Sequence, residues 1–281
     1  MKTVCFVGKP SFTPNVFYYI IAALILLTSC KTFKSDSDLG VSVSDDPAST
    51  ENDGTASAAK KKIYLTFDDG PNKGTKTVLD IVKEEQVPVT FFLVGRHAEN
   101  SPEQREIMDS LRTLNFAELC NHSYSHANNK FVKFYRHPDL VLADFEKAKK
   151  VLKLDCAMAR MPGRNIWGID SVSGPDIKMG KAAADTLQKH GYKLVGWDVE
   201  WHFEPKTMLL TKTADELKAQ IDSLFAQNKL KCQSHLVLLA HDQAYRNPSN
   251  IEELQKFVRN LKQDQGYELE LIKNYPGISR N

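Results

Sequence analysis

The sequence lacks the charge excess and the long apolar run that characterise nucleic-acid-binding and membrane-spanning chains. Lys and Arg number 37 against 35 Asp and Glu, a formal net charge of +2 over 281 residues, and no basic patch is visible. The apolar run near the N-terminus, Val16–Leu27, is too short to cross a bilayer comfortably. With 42% hydrophobic and 26% charged residues, the composition is ordinary for a globular protein. We therefore expect no nucleic-acid partner, and nothing in the sequence points to a protein partner.

Cysteine is scarce, and its spacing excludes a cysteine-rich metal site. Of five cysteines, Cys5 and Cys30 fall in the N-terminal segment, which leaves Cys120, Cys156 and Cys232. These three fit one disulfide and one buried thiol in an oxidising compartment, or three buried small side chains. The sequence does not pair them.

The first 30 residues resemble a bacterial lipoprotein signal peptide. Two lysines precede the apolar run Val16–Leu27, and Leu-Thr-Ser then leads directly to Cys30, as in a lipobox. Cleavage there leaves Cys30 as an acylated N-terminus, so we expect attachment to a membrane of the bacterial cell envelope without a membrane span. An uncleaved anchor helix and an ordinary secretory signal are the alternatives. Residues 31–59, rich in Ser, Asp, Thr and Ala, are expected to be a flexible tether to a folded domain at residues 60–281.

From residue 60 onward, short β-like runs alternate with amphipathic helical segments. The seven predicted strands are Ile63–Phe67, Val87–Val94, Phe116–Cys120, Ala157–Met161, Tyr192–Val199, His235–Ala240 and Tyr267–Ile272. The predicted helices are Lys76–Glu85, Pro102–Leu114, Asp139–Leu152, Lys178–Lys189, Thr213–Phe225 and Asn250–Leu261. This alternation predicts an α/β fold with parallel strands, in either a barrel or a doubly wound sheet.

Ionisable side chains directly follow five of these strands. They are Asp68 with Asp69, His122, Arg160, Glu200 and His241. The carboxyl ends of barrel strands converge on one face, whereas an open sheet spreads them along a crevice. The pattern therefore favours a barrel with outer helices.

The stretch Leu65–Pro71 is an apolar run that ends in two adjacent carboxylates and a Gly-Pro turn. Side chains of adjacent strand residues point to opposite faces, but a turn at the strand end can direct Asp68 and Asp69 into one pocket. On this stretch alone, a solvated turn and a functional site are equally good interpretations. His122 and His126 follow the third strand, and with Asp69 they can form a two-histidine, one-carboxylate metal site. An unrelated pair of surface histidines is the alternative.

Four ordered motifs resemble those of the polysaccharide deacetylases, the NodB-type enzymes of carbohydrate esterase family 4. They are Thr66–Pro71, His122–His126, Arg160–Gly163 and Leu236–Asp242. The resemblance spans roughly residues 60–275. It implies a distorted seven-stranded (β/α) barrel and metal-dependent hydrolysis of acetyl groups on sugars.

The resemblance also implies a role for each matching residue. It implies that Asp68 is the general base, His241 the general acid and Arg160 the arginine that holds the base carboxylate. The implied ligands of a divalent metal, Zn²⁺ in the first place and Co²⁺ or another transition metal otherwise, are Asp69, His122 and His126. A backbone N–H near Gly163 can stabilise the oxyanion together with the metal.

The fifth strand departs from the family pattern, which has an Asp-Trp pair there. We choose Glu200 as the acid that orients His241, with Asp198 as the alternative acid or as an outward-facing strand residue. Trp201 matches the aromatic residue that walls the sugar groove in one of two registers. Trp167, in a loop predicted at Arg164–Asp176, either stacks on a sugar or lies on the surface, and His202 has no assigned role.

We therefore predict an envelope lipoprotein whose barrel removes acetyl groups from N-acetylated glycans, either peptidoglycan or other N-acetylglucosamine polymers. The expected partners are this glycan and, through lipid on Cys30, a membrane. Two other functions remain open: an esterase that removes O-acetyl groups from xylan or another polysaccharide, and a catalytically impaired glycan-binding lipoprotein.

Overall fold

The computed structural model describes residues 60–170, 172–175 and 178–278. The predicted signal peptide at residues 1–30, its Cys30 and the tether at 31–59 lie outside the described residues. Within the described ranges, no helix is both long and apolar enough to cross a membrane.

Six of the seven strands predicted from the sequence are present with ends that differ by a few residues, and the fifth is divided in two. The described residues form the strands β1 (Lys61–Gly70), β2 (Val89–Leu93), β3 (Ala117–Asn121), β4 (Met158–Ala159), β5 (Ile166–Ile169), β6 (Val172–Pro175), β7 (Lys193–Leu194), β8 (Val199–Trp201), β9 (His235–His241) and β10 (Tyr267–Leu269). The helices are α1 (Lys73–Glu85), α2 (Gly95–Glu99), α3 (Pro102–Arg112), α4 (Phe131–Tyr135), α5 (Pro138–Leu152), α6 (Lys181–Lys189), α7 (Ala214–Ala226) and α8 (Pro248–Gln263). Short 3₁₀ turns cover His126–Asn129, Lys178–Gly180, Asp242–Arg246 and Ile272–Asn274.

The strands form one curled sheet in the order β6-β5-β7-β4-β3-β2-β1-β9-β8, and β10 also pairs with β1. All pairs are parallel except those of the β5–β6 hairpin and of β5 with β7. Helices cover the outer face of the sheet because apolar side chains of α1, α3, α7 and α8 pack on alternate residues of the strands. The predicted distorted (β/α) barrel is confirmed, as a curled sheet whose hydrogen-bonded path does not close among the described strands.

The predicted fifth strand is interrupted. Lys193–Leu194 pairs with β4, whereas Val199–Trp201 pairs with β9 on the other side of the barrel. Between them, the carbonyl groups of Val195 and Gly196 accept hydrogen bonds from the Arg160 guanidinium instead of a neighbouring strand. Because the buried Arg160 side chain bonds to these two carbonyl groups, they are not available to a neighbouring strand, and the predicted fifth strand is divided into two short ones.

The predicted loop Arg164–Asp176 is wrong, because most of it is the β5–β6 hairpin. Ile166 pairs with Pro175 and Ile169 with Val172, in antiparallel register. The side chains of β5 are buried. The run of glycine and serine in this segment obscured the strand signal.

Candidate active site

A β-bulge at the end of β1 directs two adjacent carboxylates into one cavity. Tyr64, Thr66 and Asp68 alternate along the inner face of β1, as strand geometry requires. The pairing of β1 with β2 shifts register between Asp68 and Gly70, and Asp69 takes a positive φ of 78°. A bulge inserts one unpaired residue and re-aims its side chain, so Asp69 faces the same cavity as Asp68.

Two side chains from other elements hold Asp69 in this unusual backbone conformation. The Nδ1 of His97, in α2, lies 2.8 Å from the Asp69 carbonyl oxygen, so this nitrogen must carry the proton that is donated. The Nε2 of Gln243 donates to Asp69 Oδ2 at 3.3 Å. A non-glycine residue in the left-handed region is strained and persists only where its surroundings fix it. Sequence reasoning missed both His97 and Gln243, and no motif marks either residue.

Asp69, His122 and His126 form a compact group of possible metal ligands. Asp69 Oδ1 lies 3.6 Å from His122 Nε2 and 3.1 Å from His126 Nε2. One donor atom from each residue falls within 4.8 Å of the others. His122 directly follows β3, and the backbone turns at positive φ through Ser123 and His126, which returns the second imidazole to the first.

The hydrogen bonds of the two histidines fix which ring nitrogen faces the cavity. His122 Nδ1 lies 2.9 Å from the carbonyl oxygen of Arg160, and His126 Nδ1 lies 3.2 Å from Oδ1 of Asn129. Both oxygens can only accept, so each Nδ1 carries a proton and each Nε2 presents a lone pair. This is the tautomer that a metal-binding imidazole needs.

The electrostatics of the group favour the protonation states of metal ligands at Asp69 and His122. Burial lowers the pKa of His122 to about 4, so this imidazole is neutral at pH 7. Burial raises the pKa of the Asp69 carboxyl, but contact with His126 and the charges of the histidines outweigh it and lower the net value. For His126, burial lowers the pKa, but the contact with Asp69 and its charge outweigh burial and raise the net value, so a proton competes with a metal at this ring.

The residues present fit a divalent metal. Among the described residues, Asp69 Oδ1 is buried and has no hydrogen-bond donor. Buried carboxylate oxygens are normally paired, and a bound cation would be the partner of this one. A carboxylate and two imidazoles are a donor set that Zn²⁺ and related transition metals accept, with positions left for water and substrate.

Arg160 is fully buried and holds Asp68. Its Nη1 donates to Asp68 Oδ1 and to Thr66 Oγ1, both at 2.8 Å. The same guanidinium lies 4.1 Å from the centre of the Phe92 ring. Asp68 Oδ2 is left 3.6 Å from His122 Nε2, on the side of the metal group. The structure thus gives the two oxygens of Asp68 different surroundings.

His241 ends β9 directly beside Asp68 in the β1–β9 register. Its Nδ1 is buried without a hydrogen bond and lies 3.7 Å from Glu200 Oε1. The same Glu200 oxygen lies 3.1 Å from Nδ1 of the exposed His202. Glu200 therefore lies between the imidazoles of His241 and His202. His202, which had no role assigned from the sequence, lines the cavity.

A cavity of about 420 Å³ joins these groups into one site. Its floor carries the carboxylates and histidines, and Gly163 contributes backbone to the wall. Three aromatic residues also line the cavity: Phe131, whose ring packs against His126, Phe203, whose ring packs against His241, and Trp197. A volume of this size with apolar walls and convergent polar groups suits a sugar ring.

Both tryptophans chosen as sugar contacts are wrongly assigned. Trp201 is fully buried, donates from Nε1 to the Lys212 carbonyl oxygen and packs on Phe257. Trp167 is 2% exposed and packs against Tyr275 inside the barrel. In both cases the side chain points away from the cavity. Trp197, which sequence reasoning did not select, is the tryptophan that lines it.

Asp198 faces away from the site. Its two carboxylate oxygens accept the backbone N–H groups of Lys231 and Val237 at 2.9 and 2.8 Å. It therefore ties the approach to β8 to the start of β9. Of the two acids considered on the fifth strand, Glu200 is the one near His241.

Beneath the site, the buried Asp242 links the end of β9 to the turn after β1. It accepts a bond of 2.5 Å from Asn72 Nδ2 and a short bond from the Thr75 hydroxyl. Burial raises the pKa of its carboxyl to about 8. Gly74 is required here, since a Cβ would lie 1.9 Å from the Asp242 carbonyl oxygen. In the sequence, only the position of Asp242 directly after His241 pointed to this link between β9 and the turn.

Comparisons with known proteins agree with this geometry. Residues 55–162 match a family model described as polysaccharide deacetylase. The chain is 33% identical over 99 residues to the chitooligosaccharide deacetylase of Rhizobium leguminosarum bv. trifolii, which is 35% of this chain and only 39% of that protein. It is 29% identical over 205 residues to the chitooligosaccharide deacetylase of Sinorhizobium fredii, 65% of this chain and 87% of that protein.

A solved structure supports the fold. The catalytic domain of the peptidoglycan N-acetylglucosamine deacetylase from Eubacterium rectale superposes with a TM-score of 0.57 at 22% identity, over 80% of this chain and 94% of that one. At this identity the likeness establishes the fold. Together with the family model and the curated relatives, it supports the resemblance seen in the sequence: residues 55–162 match the polysaccharide deacetylase family, and the described fold is that of the NodB-type carbohydrate esterases.

Proposed function

We propose that this protein is a metal-dependent hydrolase that removes acetyl groups from N-acetylated glycans, either peptidoglycan or other N-acetylglucosamine polymers. The observation that carries the proposal is the joining, in one cavity, of a ligand group with a separate carboxylate and a separate histidine. The chitooligosaccharide deacetylases among the relatives and the peptidoglycan deacetylase among the structures support the class of substrate.

Asp69, His122 and His126 would hold the metal. A bound divalent metal such as Zn²⁺ supplies two kinds of chemistry, acidification of a water and polarisation of an acetyl carbonyl. The three ligands are fixed by their own bonds, with His97 on the Asp69 backbone and the Arg160 carbonyl on His122. Such outer contacts orient the ligands before the metal arrives.

Asp68 is the proposed general base. Arg160 engages Oδ1, so Oδ2 is the oxygen that faces the ligand group and can take a proton from water. The charge of Arg160 also keeps this buried carboxylate paired. The two adjacent acids therefore have separate tasks, proton transfer at Asp68 and metal binding at Asp69.

His241 is the proposed general acid. It lies beside Asp68 across the β1–β9 pair and can deliver a proton to the leaving amine. Glu200 Oε1, 3.7 Å from Nδ1 of His241, is the acid proposed to orient this imidazole. The Gly163 backbone, on the cavity wall, is placed to assist the developing oxyanion.

The walls of the cavity suit a pyranose ring. Trp197 and Phe203 flank the His241 side, and the Phe131 ring packs edge-on against His126. Flat apolar faces of sugars stack on such rings, while the acetyl group enters toward the polar floor. Attachment to the envelope through Cys30 would place this site near wall or surface glycans.

Acetate release from a panel of glycans tests the proposal. N-acetylglucosamine oligomers, N-acetylated peptidoglycan and acetylated xylan are each incubated with the metal-free protein, with and without added Zn²⁺ or Co²⁺. We expect metal-dependent release from one or both N-acetylated substrates and a loss of about 10²–10⁴-fold in Asp68→Asn. Asp185→Asn, on the exposed face of α6, is the matched control and should equal wild type.

The outcomes separate the three candidate functions. Release from xylan alone would replace the N-deacetylase with an O-acetyl esterase. Glycan binding without release from any substrate would instead identify a catalytically impaired binding protein.

A further inference from the structure

Two of the cysteines that the sequence could not pair lie together beneath the metal histidines. Sγ of Cys120 and Sγ of Cys156 are 3.5 Å apart and share a hydrogen bond. Cys120 is in β3, and Cys156 lies just before β4, whose Ala159 pairs with Asn121 of β3. Because the two strands are direct neighbours, the thiols can form a disulfide after a sulfur displacement of about 1.5 Å.

Of this pair, Cys156 is the thiol that a reagent can reach. Cys120 is fully buried, whereas Cys156 is partly exposed and lines a cavity of about 650 Å³. This cavity is also lined by Glu118 and Lys193, which lie at the starts of their strands, so it opens at the end of the barrel opposite the metal group. A small disulfide can therefore reach Cys156 without entering the active site.

The surroundings of Cys156 favour reaction at its sulfur. The hydrogen bond with the Cys120 thiol lowers the pKa of Cys156, although burial acts in the opposite direction. Thiolate is the nucleophile in disulfide exchange, so the exposed member of the pair is also the better attacking group. All three described cysteines are free thiols, but no neighbouring thiol of the Cys120–Cys156 kind is present at Cys232 among the described residues, and burial raises its pKa.

We propose that Cys120 and Cys156 are an oxidisable thiol pair that forms a disulfide by exchange with an external disulfide and thereby ties down the segment that carries both metal histidines. In the first step the Cys156 thiolate attacks one sulfur of the oxidant and releases a thiolate. In the second, Cys120 gives up its proton and attacks Cys156 Sγ in the mixed disulfide, which releases the second thiol. Two cysteine thiols are oxidised, and the oxidant disulfide is reduced to two thiols.

The loop closed by the disulfide would contain two of the three proposed metal ligands. His122 and His126 both lie between residues 120 and 156, together with α4 and α5. A covalent link across this segment restricts the unfolded chain and limits local opening around the two imidazoles. By the loop-length relation for disulfides, we expect the oxidised protein to melt roughly 8–15 °C above the reduced one.

Mass spectrometry of the full chain tests the pairing directly. The protein is equilibrated in oxidised glutathione, its free thiols are alkylated, and its peptides are mapped without reduction. We expect a Cys120–Cys156 linked peptide, an alkylated Cys232 and the rise in Tm. Cys156→Ser should abolish both the link and the rise, while Cys232→Ser should retain both.

Two results would overturn the proposal. One is Cys156 held only as a stable mixed disulfide with glutathione, or no link at all, in wild-type protein. The other concerns the segment that carries His122 and His126. After loading with Zn²⁺, the oxidised protein should lose metal to a chelator at least twofold more slowly than the reduced protein. Equal rates would show that the disulfide does not restrain this segment. The peptide map and Tm need no catalysis, so they stand apart from the proposed deacetylase activity.

Discussion

Replacing Arg160 tests the idea that one buried cation holds the base carboxylate and also bonds the backbone between β7 and β8. Its guanidinium donates to Asp68 at 2.8 Å, and to the carbonyl oxygens of Val195 and Gly196 at 3.1 and 2.9 Å. Arg160→Met keeps an unbranched apolar side chain and removes every one of these donors. Asp68 is then a buried carboxylate without its cation.

The expected cost follows from that orphaned carboxylate. Removing one partner of a buried ion pair destabilises a protein by about 3–5 kcal/mol. For a domain of this size, such a loss lowers the Tm by roughly 6–20 °C. Arg160→Lys keeps the charge but donates from a single nitrogen, so its free energy of unfolding should lie between those of wild type and Arg160→Met.

A double-mutant cycle in urea isolates the pair. The free energy of unfolding is measured for metal-free wild type, Arg160→Met, Asp68→Asn and the double variant. We expect the double variant to be more stable than the sum of the single costs predicts, by about 0.5–3 kcal/mol. Additive costs, or a cost below about 1 kcal/mol for Arg160→Met, would refute the reasoning.

Three further predictions concern the metal, the groove and the support beneath the site. Because Asp69 raises the pKa of His126, a proton competes with metal at that ring, so Zn²⁺ affinity measured by competition with a chromophoric chelator should fall about tenfold per pH unit below that pKa; a pH-independent affinity would contradict it. Trp197→Ala should raise KM for a glycan about 2–10-fold in steady-state kinetics, whereas Trp167→Phe should not; equal effects would argue against Trp197 as the sugar platform. Burial raises the pKa of Asp242 from 3.8 to about 8, so between those pH values the folded state keeps a proton that the unfolded state has lost, and the wild-type free energy of unfolding should fall as pH rises. In urea titrations, Asp242→Asn should lack this pH-dependent fall. The same pH profile in wild type and Asp242→Asn would show that Asp242 does not cause it.

The parts of the fold that sequence predicts well are those with regular periodicity. β1, β9 and α8 are long or strongly patterned, and their predicted ranges agree with the structure to within a few residues. The fifth strand could not be predicted correctly, because its split depends on the side chain of Arg160, directly after β4, which donates to the carbonyl groups between its two halves. Local pattern contains no information about that distant donor.

In the site too, local pattern predicts some residues correctly, and contacts between distant residues determine the rest. Asp68, Asp69, His122 and His241 follow apolar runs, so the convergence of strand ends was enough to bring them together. The bulge at Asp69, which puts adjacent acids into one cavity, depends on contacts with His97 and Gln243 that no short motif marks. The tryptophans were misassigned because residue type alone does not tell which face of a strand meets the cavity. A shift of one residue exchanges the inner and outer faces.

Zinc titration combined with acetate release in Asp68→Asn and Asp69→Asn tests the division of labour between the two carboxylates most directly. We expect Asp68→Asn to bind Zn²⁺ with near wild-type affinity yet to release acetate about 10²–10⁴-fold more slowly. We expect Asp69→Asn to lose most of its Zn²⁺ affinity. Wild-type metal affinity in Asp69→Asn, or wild-type acetate release in Asp68→Asn, would contradict this division of labour.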